Sequence, residues 1–574
     1  MADPSCSGER KNSVGSYPGK VAGSRNRENF ASELLWRADD RNAKFFLQRY
    51  CFGGIVLPQL SYLLAKFDRM RVYQLWSFLL VLSISAAAQD VPNKAYPLEP
   101  ATLSAGTVPE GEVLKFSFDH SKLYPGTHRS YWVYIPKEYS PGKPACLYVC
   151  MDGILFSAPT VFDYLISKGE MPVTIGVFIS SGAIMKDDTT VLRYNRTNEF
   201  DNMNDRFVRF IEEEILPDVI RQKTTDGRQI FLSPGANDHA IAGASSGAIC
   251  AFTAAWQRPD LFSRVFSAIG TYIGMRGGDQ YPVLIRKTEP KALRIYLQDN
   301  NNDTWNPLFG NWFKANIDME AALNFAGYEV TNMWQEGGHD DRQATAIFAD
   351  AMRWLWKGWP EPVRQGWSAN NMLTTILDSG QSWHPAEGKF FQNKIVSPSD
   401  ESVVLPGGNA YILKNGTIFY QARGRTLVAD KDDELGTAIA ISPDKAQLVV
   451  SSKHSHWLYD YVIQPDGALT DKQTLYWLHN PGNDDTDAIN SLAFDADGDL
   501  FAATNLGIQV CDQNGRVRAI LSVPGGPVTA LWFGGSRLNI LFAACGNRVF
   551  QRTLRVTGAP SSGKFVLPKS EGGG

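Results

Sequence analysis

The sequence predicts an α/β domain with a mostly parallel sheet, followed by an all-β domain. Apolar, strand-like runs alternate with amphipathic helical patterns up to about residue 357. One of these runs leads through a glycine-flanked serine directly into a helix, at residues 239–253. From about residue 372 onwards, short β-rich runs separated by turn signals replace the helical periodicity. The period and length of apolar runs are the main sequence signals of secondary structure.

The composition is that of a globular protein with more than one domain. The chain has 574 residues, of which 44% are hydrophobic and 12% aromatic, so it can build several packed cores. Its formal net charge is −4 and its isoelectric point is about 6.1. A chain without a basic excess lacks the attraction on which nucleic-acid binding depends, so we expect no nucleic-acid partner.

The N-terminal region contains the pattern of a secretory signal. Residues 1–69 are polar and irregular, whereas residues 70–88 combine a basic start at Arg71, an apolar run over 75–84 and small residues ending at Ala88. The apolar run is too short to span a bilayer comfortably. We therefore expect cleavage after Ala88, export to the periplasm or beyond, and no stable membrane insertion. Because this signal begins at the second methionine of the chain, the residues before it read as an overextended reading frame; the alternative is an uncleaved anchor behind a cytoplasmic segment.

Five cysteines would remain after this cleavage, and they show no metal-binding spacing. They are Cys146, Cys150, Cys250, Cys511 and Cys545. The first three lie in apolar strand or helix patterns and are expected to be small core residues. The last two are candidates for a disulfide.

The first domain is predicted to span residues 100–357. Strands are expected at 130–135, 145–150, 174–179 and 293–298, and helices at 204–220 and 344–356. The helix over 204–220 carries its apolar side chains at helical spacing. Apolar strands that alternate with helices predict a mostly parallel sheet covered by helices on both faces.

The segment Gly243-Ala-Ser-Ser-Gly247 has the Gly-x-Ser-x-Gly pattern of a nucleophile elbow. Such a turn holds the serine, here Ser245, above the sheet, and the helix that follows directs its N-terminal amides at the same point. The Ser246 amide is thus a candidate oxyanion donor. The strand-ending turn at 151–153 offers Gly153 as the second donor. The alternative is a small-residue turn without a catalytic role.

A serine nucleophile needs a base and an acid that orients the base. His339 is the only histidine between Ser245 and residue 356, and it lies in a glycine-rich loop before a helix. The acid is expected at the end of the strand over 293–298, where Asp299 and Asp303 are both candidates. One of these two aspartates is expected to serve only in a turn or a cap.

Several ordered segments resemble the enterochelin-esterase and family-one carbohydrate-esterase group of α/β hydrolases. The resemblance covers about residues 100–357 and rests on residues 196–201, 205–217, 243–247, 295–299, 310–312 and 336–339. It implies that Asp303 is the acid, although Asn300 stands where that family usually has a turn glycine. It also implies that Arg196 and Glu199 line the substrate pocket. A solvated pair of charges is the alternative for those two residues.

A linker is predicted over residues 358–371 and a β domain over 372–570. Turn signals about every 20–30 residues are typical of propeller blades. The segment 442–552 resembles the gluconolactonase and senescence-marker-protein propellers, most clearly at 507–517 and 533–535. About 200 residues, at roughly 40–45 per blade, give four or five blades. We therefore expect a propeller that is incomplete relative to that family.

The metal site of that propeller family does not carry over to this chain. The family holds a divalent cation with Glu, Asn and Asp, but Thr437 and Asn490 stand at two of the matching positions. Pro406-Gly-Gly408 replaces the expected glutamate segment. Hard cations prefer anionic oxygen, so we expect no metal and no cofactor. Acidic residues that could in principle rebuild a site are Asp433, Glu434, Asp485 and Asp487.

Three hypotheses follow for the function. The first is a secreted serine ester hydrolase that acts through a Ser-His-Asp triad and an acyl-enzyme. By resemblance, its substrate is an acyl ester of a carbohydrate or a siderophore-type ester, and its propeller is a binding or positioning module. The second is a metal-dependent lactone hydrolase, and the third is a non-catalytic carbohydrate-binding surface protein. The sequence leaves the acyl group, the alcohol and the oligomeric state open.

Overall fold

The computed structural model describes residues 96–187, 189–386, 401–405, 407–481 and 489–559. The predicted extension over 1–69 and the predicted signal over 70–88 lie outside these residues, and so does the expected start of the mature chain. Export therefore stays a prediction.

An eight-stranded sheet forms the centre of the first domain, in the order β1-β2-β4-β3-β7-β8-β9-β12. Strands β1 and β2 run antiparallel, as do β2 and β4, and the remaining neighbours run parallel. Two short hairpins, β5–β6 and β10–β11, lie outside it. The strands are β1 (Glu112–Phe118), β2 (Arg129–Ile135), β3 (Cys146–Met151), β4 (Thr174–Ile179), β5 (Ala183–Met185), β6 (Val191–Tyr194), β7 (His239–Ala244), β8 (Arg264–Ala268), β9 (Arg294–Asn300), β10 (Trp305–Asn306), β11 (Gly310–Asn311) and β12 (Glu329–Gln335).

Helices cover both faces of this sheet, which is the α/β-hydrolase arrangement predicted from the sequence. They are α1 (Ala158–Ser167), α2 (Arg196–Phe200), α3 (Arg206–Phe210), α4 (Leu216–Val219), α5 (Ser246–Gln257), α6 (Tyr281–Lys287), α7 (Trp312–Phe325) and α8 (Arg342–Leu355). A further helix, α9 (Asn371–Ile376), packs its buried side chains among those of the second domain. Among the described residues, no helix has the length and apolar composition needed to cross a membrane.

The helix predicted over 204–220 runs without interruption from Arg206 to Val219 and contains one irregular turn. A π-helical turn, Ile211–Ile215, separates α3 from α4. Pro217 lies at the start of α4 and has no N–H to donate to the carbonyl one turn earlier. A missing hydrogen bond in the helical ladder is a common cause of such local irregularity.

The second domain consists of four four-stranded antiparallel sheets, which form a four-blade, propeller-like arrangement in the described residues. The first strands of successive sheets, β14, β18, β22 and β26, lie beside one another in that order. Strand β13 joins the last sheet by pairing with β28. The strands are β13 (His384–Pro385), β14 (Glu401–Val404), β15 (Ala410–Lys414), β16 (Thr417–Ala422), β17 (Arg425–Lys431), β18 (Leu435–Ile441), β19 (Gln447–Ser452), β20 (Trp457–Ile463), β21 (Leu469–Trp477), β22 (Leu492–Phe494), β23 (Leu500–Thr504), β24 (Gly507–Cys511), β25 (Val517–Leu521), β26 (Ala530–Gly534), β27 (Ile540–Cys545) and β28 (Arg548–Thr553).

The predicted candidate disulfide is not formed. Cys511 and Cys545 are both free thiols in buried positions. Each ends a strand of a different sheet, where it packs as a small apolar residue. The other three cysteines are also buried and free, as the apolar patterns around them predicted.

The two domains are joined by a polar contact that follows α6. The residues from Tyr96 onward belong to one compact unit. The Glu289 carboxylate accepts from Arg552 Nη1 through both oxygens, at 2.8 and 2.9 Å. The Glu289 amide donates to the Ile520 carbonyl at 2.8 Å. Asn370, at the start of α9, donates to backbone carbonyls on both sides of the contact. The segment leading from α6 to β9 is therefore held by the second domain.

We predict that Arg552→Met lowers the free energy of unfolding by about 3–5 kcal/mol, because Glu289 would keep a buried charge without its partner. The two side chains are only 6% and 9% exposed. Chemical denaturation followed by tryptophan fluorescence measures the effect. The control is Asp318→Asn, which breaks the Arg286–Asp318 pair, whose side chains are 35% and 54% exposed. That change should cost less than about 1 kcal/mol, and equal losses in the two variants would contradict the prediction.

Candidate active site

Ser245 occupies a sharp turn between β7 and α5. Its backbone has φ 57° and ψ −120°, a conformation that a non-glycine residue adopts only under constraint. A Cβ atom at Gly243 would lie 2.2 Å from the Gly247 carbonyl oxygen, so only glycine fits there. The Gly-x-Ser-x-Gly pattern is thus explained by the close approach of the strand end and the helix start.

The side chains of Ser245, His339 and Asp303 form one hydrogen-bonded chain. His339 Nδ1 lies 2.7 Å from Asp303 Oδ1, and His339 Nε2 lies 2.8 Å from Ser245 Oγ. Because an ionised carboxylate only accepts, Nδ1 carries the proton and Nε2 accepts from the serine hydroxyl. The Asp303 side chain is fully buried, whereas that of His339 is 29% exposed. The acid is therefore shielded from solvent, whereas the histidine that contacts the serine is partly accessible.

The loops that carry the acid and the histidine are tied together by hydrogen bonds. They follow β9 and β12, which are parallel neighbours. The Asn300 side-chain amide donates to the Gly338 carbonyl at 2.8 Å, and the Asn302 amide donates to the Gly337 carbonyl at 3.0 Å. Asn300 ends β9 as an extended, buried residue, so glycine is not required at this position. Asn300, which stands where the family usually has a glycine, therefore joins the acid loop to the histidine loop.

Asp299, the other candidate acid, is separated from the histidine. Its carboxyl oxygens accept from the Asn300 amide at 2.6 Å and from Asn316 Nδ2 at 2.7 Å. Burial, together with the neighbouring Asp303, raises the pKa of Asp299 to about 9. Of the two aspartates, the structure brings Asp303 to His339. The catalytic role of Asp303 stays a prediction.

Two further side chains that the sequence did not single out contact the site. Thr271 Oγ1 lies 3.2 Å from Ser245 Oγ and accepts from Trp312 Nε1 at 3.2 Å. The Trp312 ring also packs edge-on against His339, with 5.8 Å between the ring centres. Trp312 falls in the segment 310–312 that contributed to the family resemblance, so that segment was its only signal. Thr271 had none.

The two predicted oxyanion donors are placed differently. Ser246 is the first residue of α5, where backbone amides have no acceptor within the helix. The Gly153 amide, in contrast, donates to the Ile179 carbonyl at 3.3 Å. This amide adds one hydrogen bond beyond the ladder between β3 and β4, so it already has an acceptor. Gly153 was therefore a wrong choice for the second donor.

Arg196 lies beside the elbow, as a bidentate partner of Asp152. The distances are 2.8 Å from Nε to Oδ1 and 2.7 Å from Nη2 to Oδ2. Arg196 Nη2 also approaches the carbonyl of Ala244, the residue before the nucleophile candidate, at 3.4 Å. The guanidinium is partly exposed, so a contact with substrate stays a prediction.

Glu199 is not positioned to touch a substrate. Its carboxylate is fully enclosed and accepts from Arg129 through two bonds, at 2.7 and 2.9 Å. It also accepts from the Gly182 amide and the Asn195 side chain, each at 2.9 Å. These contacts fix the base of the β5–β6 hairpin to β2. The predicted role of Glu199 as a pocket residue is corrected to that of a buried anchor.

Apolar side chains are exposed on the two hairpins that are linked in sequence to the site. The β5–β6 hairpin, which leads to Arg196, exposes Leu192 and Tyr194. The β10–β11 hairpin, which lies between Asp303 and Trp312, exposes Trp305, Leu308 and Phe309. Exposed apolar groups next to a polar site are typical of surfaces that bind ligands.

In the second domain, two residues that stand where the propeller family has metal ligands are neutral and contact each other. Thr437 Oγ1 donates to Asn490 Oδ1 at 3.2 Å. Within the described ranges, no group of three or more His, Cys, Asp or Glu side chains is placed to hold a metal ion. Asp485 and Asp487 lie outside those ranges. The expectation of no metal therefore stays a prediction.

Comparisons with known proteins agree with this two-part architecture. Residues 124–395 match the family model described as Putative esterase. Residues 406–546 match the model described as SMP-30/Gluconolactonase/LRE-like region. No curated protein matches the chain.

Solved structures similar to the chain include two kinds of esterase and a gluconolactonase. The chain is 16% identical to a ferulic acid esterase, over 43% of this chain and 98% of that one, with a TM-score of 0.34. It is 22% identical to the enterobactin esterase from Shigella flexneri, over 46% of this chain and 63% of that one, with a TM-score of 0.35. It is 18% identical to a gluconolactonase from Xanthomonas campestris, over 27% and 56%, with a TM-score of 0.24. The chain thus spans less than two thirds of the last two proteins.

We predict that Asn300→Ala lowers the free energy of unfolding by about 1–3 kcal/mol, because the Gly338 carbonyl loses its donor in a partly buried position. Ester hydrolysis should fall as well, since the acid and histidine loops lose a bond that joins them. Denaturant titration and a p-nitrophenyl acetate assay measure the two effects. The matched control is Asn301→Ala, next in the chain and exposed; similar losses there would contradict the role given to Asn300.

Proposed function

Because residues 124–395 carry an esterase-family domain and the protein is a carboxylic ester hydrolase, we propose that Ser245 is its acyl-accepting nucleophile. In this proposal His339 is the general base and Asp303 orients it. The single observation that supports the proposal is the unbroken chain of hydrogen bonds from Asp303 through His339 to Ser245, at 2.7 and 2.8 Å. A non-catalytic binding protein is not favoured.

The first half of the reaction forms the acyl-enzyme. His339 Nε2 takes the hydroxyl proton while Ser245 Oγ bonds to the ester carbonyl carbon, and the carbonyl π electrons move to oxygen. When the resulting tetrahedral intermediate collapses, the carbon–oxygen bond to the alcohol breaks and His339 returns the proton to the leaving alkoxide. Asp303 stays ionised and stabilises the imidazolium in both steps. Water then repeats the sequence on the acyl-enzyme and releases the acid.

Two backbone amides are proposed to stabilise the oxyanion. The first is that of Ser246, at the positive end of α5. The second is that of Asp152, which donates to no backbone carbonyl in the part of the chain that the structure describes. Asp152 lies beside the elbow, because a Cβ atom at Gly247 would lie 3.2 Å from its Oδ2.

For the substrate we propose an acyl ester of a carbohydrate or a siderophore-type ester. The exposed apolar side chains of the β5–β6 and β10–β11 hairpins support a substrate with an apolar or ring-shaped part next to its ester bond. Turnover of an acetylated oligosaccharide and of a cyclic siderophore triester, each compared with p-nitrophenyl acetate, tests this proposal. Turnover of p-nitrophenyl acetate alone would contradict it.

We also propose that the mature protein begins near Gln89 and is exported, on the strength of the signal pattern over 70–88. N-terminal sequencing of the protein from its native host tests this. An intact N-terminus at Met1 in the cytoplasmic fraction would contradict it.

Ser245→Ala should reduce kcat by about three orders of magnitude or more, because the covalent pathway is lost while the oxyanion donors remain. A fluorophosphonate should label the wild-type protein at Ser245 and leave this variant unlabelled. The matched control is Ser267→Ala, in which a buried hydroxyl on β8 that bonds to Tyr272 is removed. Full activity of Ser245→Ala, or an adduct at another serine, would contradict the assignment.

The second domain is proposed to bind or position rather than to hydrolyse lactones. A catalytic metal must polarise the lactone carbonyl and activate water, and neutral oxygens such as those of Thr437 and Asn490 hold a divalent ion weakly. We expect the full-length protein to contain less than stoichiometric metal by mass spectrometry. We further expect its ester hydrolysis to be unaffected by EDTA. Stoichiometric calcium or zinc with EDTA-sensitive hydrolysis of gluconolactone would instead support the lactonase hypothesis.

A further inference from the structure

One oxygen of the proposed triad acid has no conventional hydrogen-bond donor. Asp303 Oδ1 accepts from His339 Nδ1 and from the Thr304 amide. Asp303 Oδ2 is buried, and no N–H or hydroxyl group among the described residues reaches it. A buried carboxylate oxygen without a donor is costly, and it leaves the carboxylate plane free to rotate away from the histidine.

The group next to this carboxylate is a second carboxyl. Asp299 lies next to Asp303 because residues 300–303 form a turn, in which the Asp303 amide donates to the Asn300 carbonyl at 3.0 Å. Asp299 is itself fully buried. Its own two oxygens already accept from the Asn300 amide and from Asn316 Nδ2.

The surroundings of Asp299 allow only one negative charge in this pair. Among the interactions that contribute most to the pKa of Asp299, the titratable partner is Asp303, in the acid loop. The side-chain amide of Asn316, on α7, donates to Asp299 and to the Gly270 carbonyl, and it is neutral. His339 lies beyond Asp303 and bonds to it. Two adjacent buried carboxyl groups under these conditions share one proton.

We propose that Asp299 is a positioning residue, whose protonated carboxyl group donates to Asp303 Oδ2 and holds Asp303 Oδ1 against His339. Asp303 keeps the negative charge because it faces the imidazole that becomes cationic during the reaction. The raised pKa of Asp299 agrees with this assignment of the proton. The inference rests on the proposed triad and adds a fourth member to it.

The proposal predicts that asparagine can replace Asp299, whereas alanine cannot. In Asp299→Asn the side-chain amide supplies the donor that the carboxyl hydroxyl supplied, at nearly the same volume. Turnover at pH 7 should therefore stay within about threefold of the wild-type value. In Asp299→Ala the donor is lost, and kcat should fall about 10- to 100-fold with little change in KM.

The pH profile separates this role from a merely structural one. Ionisation of Asp299 at high pH places a second charge beside Asp303 and removes the donor, so the wild-type rate should fall above pH 9. Asp299→Asn cannot ionise, so the ratio of its rate to the wild-type rate should rise about threefold to tenfold between pH 8 and pH 10. Other alkaline titrations are common to both proteins and cancel in this ratio.

The experiment measures kcat and KM for wild type, Asp299→Asn and Asp299→Ala from pH 6 to pH 10, together with Asp303→Asn and Ser245→Ala. If Asp299→Asn loses as much activity as Asp303→Asn, Asp299 acts as an ionised acid and the proposal is overturned. Full activity of Asp299→Ala, or a flat ratio of the asparagine variant to wild type across pH, overturns it as well. If Asp299→Ala does not fold, the ratio decides alone. If Ser245→Ala and Asp303→Asn remain active, the triad itself fails, which is a distinguishable result.

Discussion

The parallel pairing of β9 with β12 is the constraint on which the site depends. It brings the ends of the two strands to one edge of the sheet, so that the loop carrying Asp303 and the loop carrying His339 leave side by side. Asn300 then joins the loops through the Gly338 carbonyl. The turn at Ser245 meets the histidine from the end of β7, which lies two strands from β9 and three from β12 in the same sheet. Without this register the three side chains, which are 36 and 94 residues apart in the chain, would not form one hydrogen-bonded series.

The sequence predicted those site residues whose signal lies in the neighbouring residues of the chain, and it missed those that depend on contacts with distant segments. Ser245 was predictable because its turn is encoded by adjacent small residues, and His339 because no other histidine lies in that part of the chain. Asp299 and Asp303 could not be separated by pattern, since both follow the same strand. Gly153 failed because its amide is taken by the Ile179 carbonyl of β4, and Glu199 failed because its partner Arg129 comes from a distant strand.

Hydrophobic periodicity predicted the main helices and strands. The features it did not predict depend on pairing between segments that are far apart in the chain. The strand over 174–179 was predicted with the bounds that β4 has. The helix predicted over 204–220 is present from Arg206 to Val219, but the periodicity did not predict the π-helical turn within it. The pairing of β13 with β28 joins segments at opposite ends of the second domain, and no local pattern announces such a pairing. The free Cys511 and Cys545 illustrate the same limit, because their separation in space depends on which sheets they enter.

The interface between the domains connects the second domain to the acid end of the site. Glu289 is held by Arg552 and Ile520, and it lies only a few residues before β9 begins at Arg294. Strand β9 is buried along nearly its whole length, and its last two residues are Asp299 and Asn300. A packed strand transmits displacement along its axis because its neighbours leave it no space to bend. The contact at Glu289 therefore fixes the second domain to the segment that leads into the strand on which the acid loop is built.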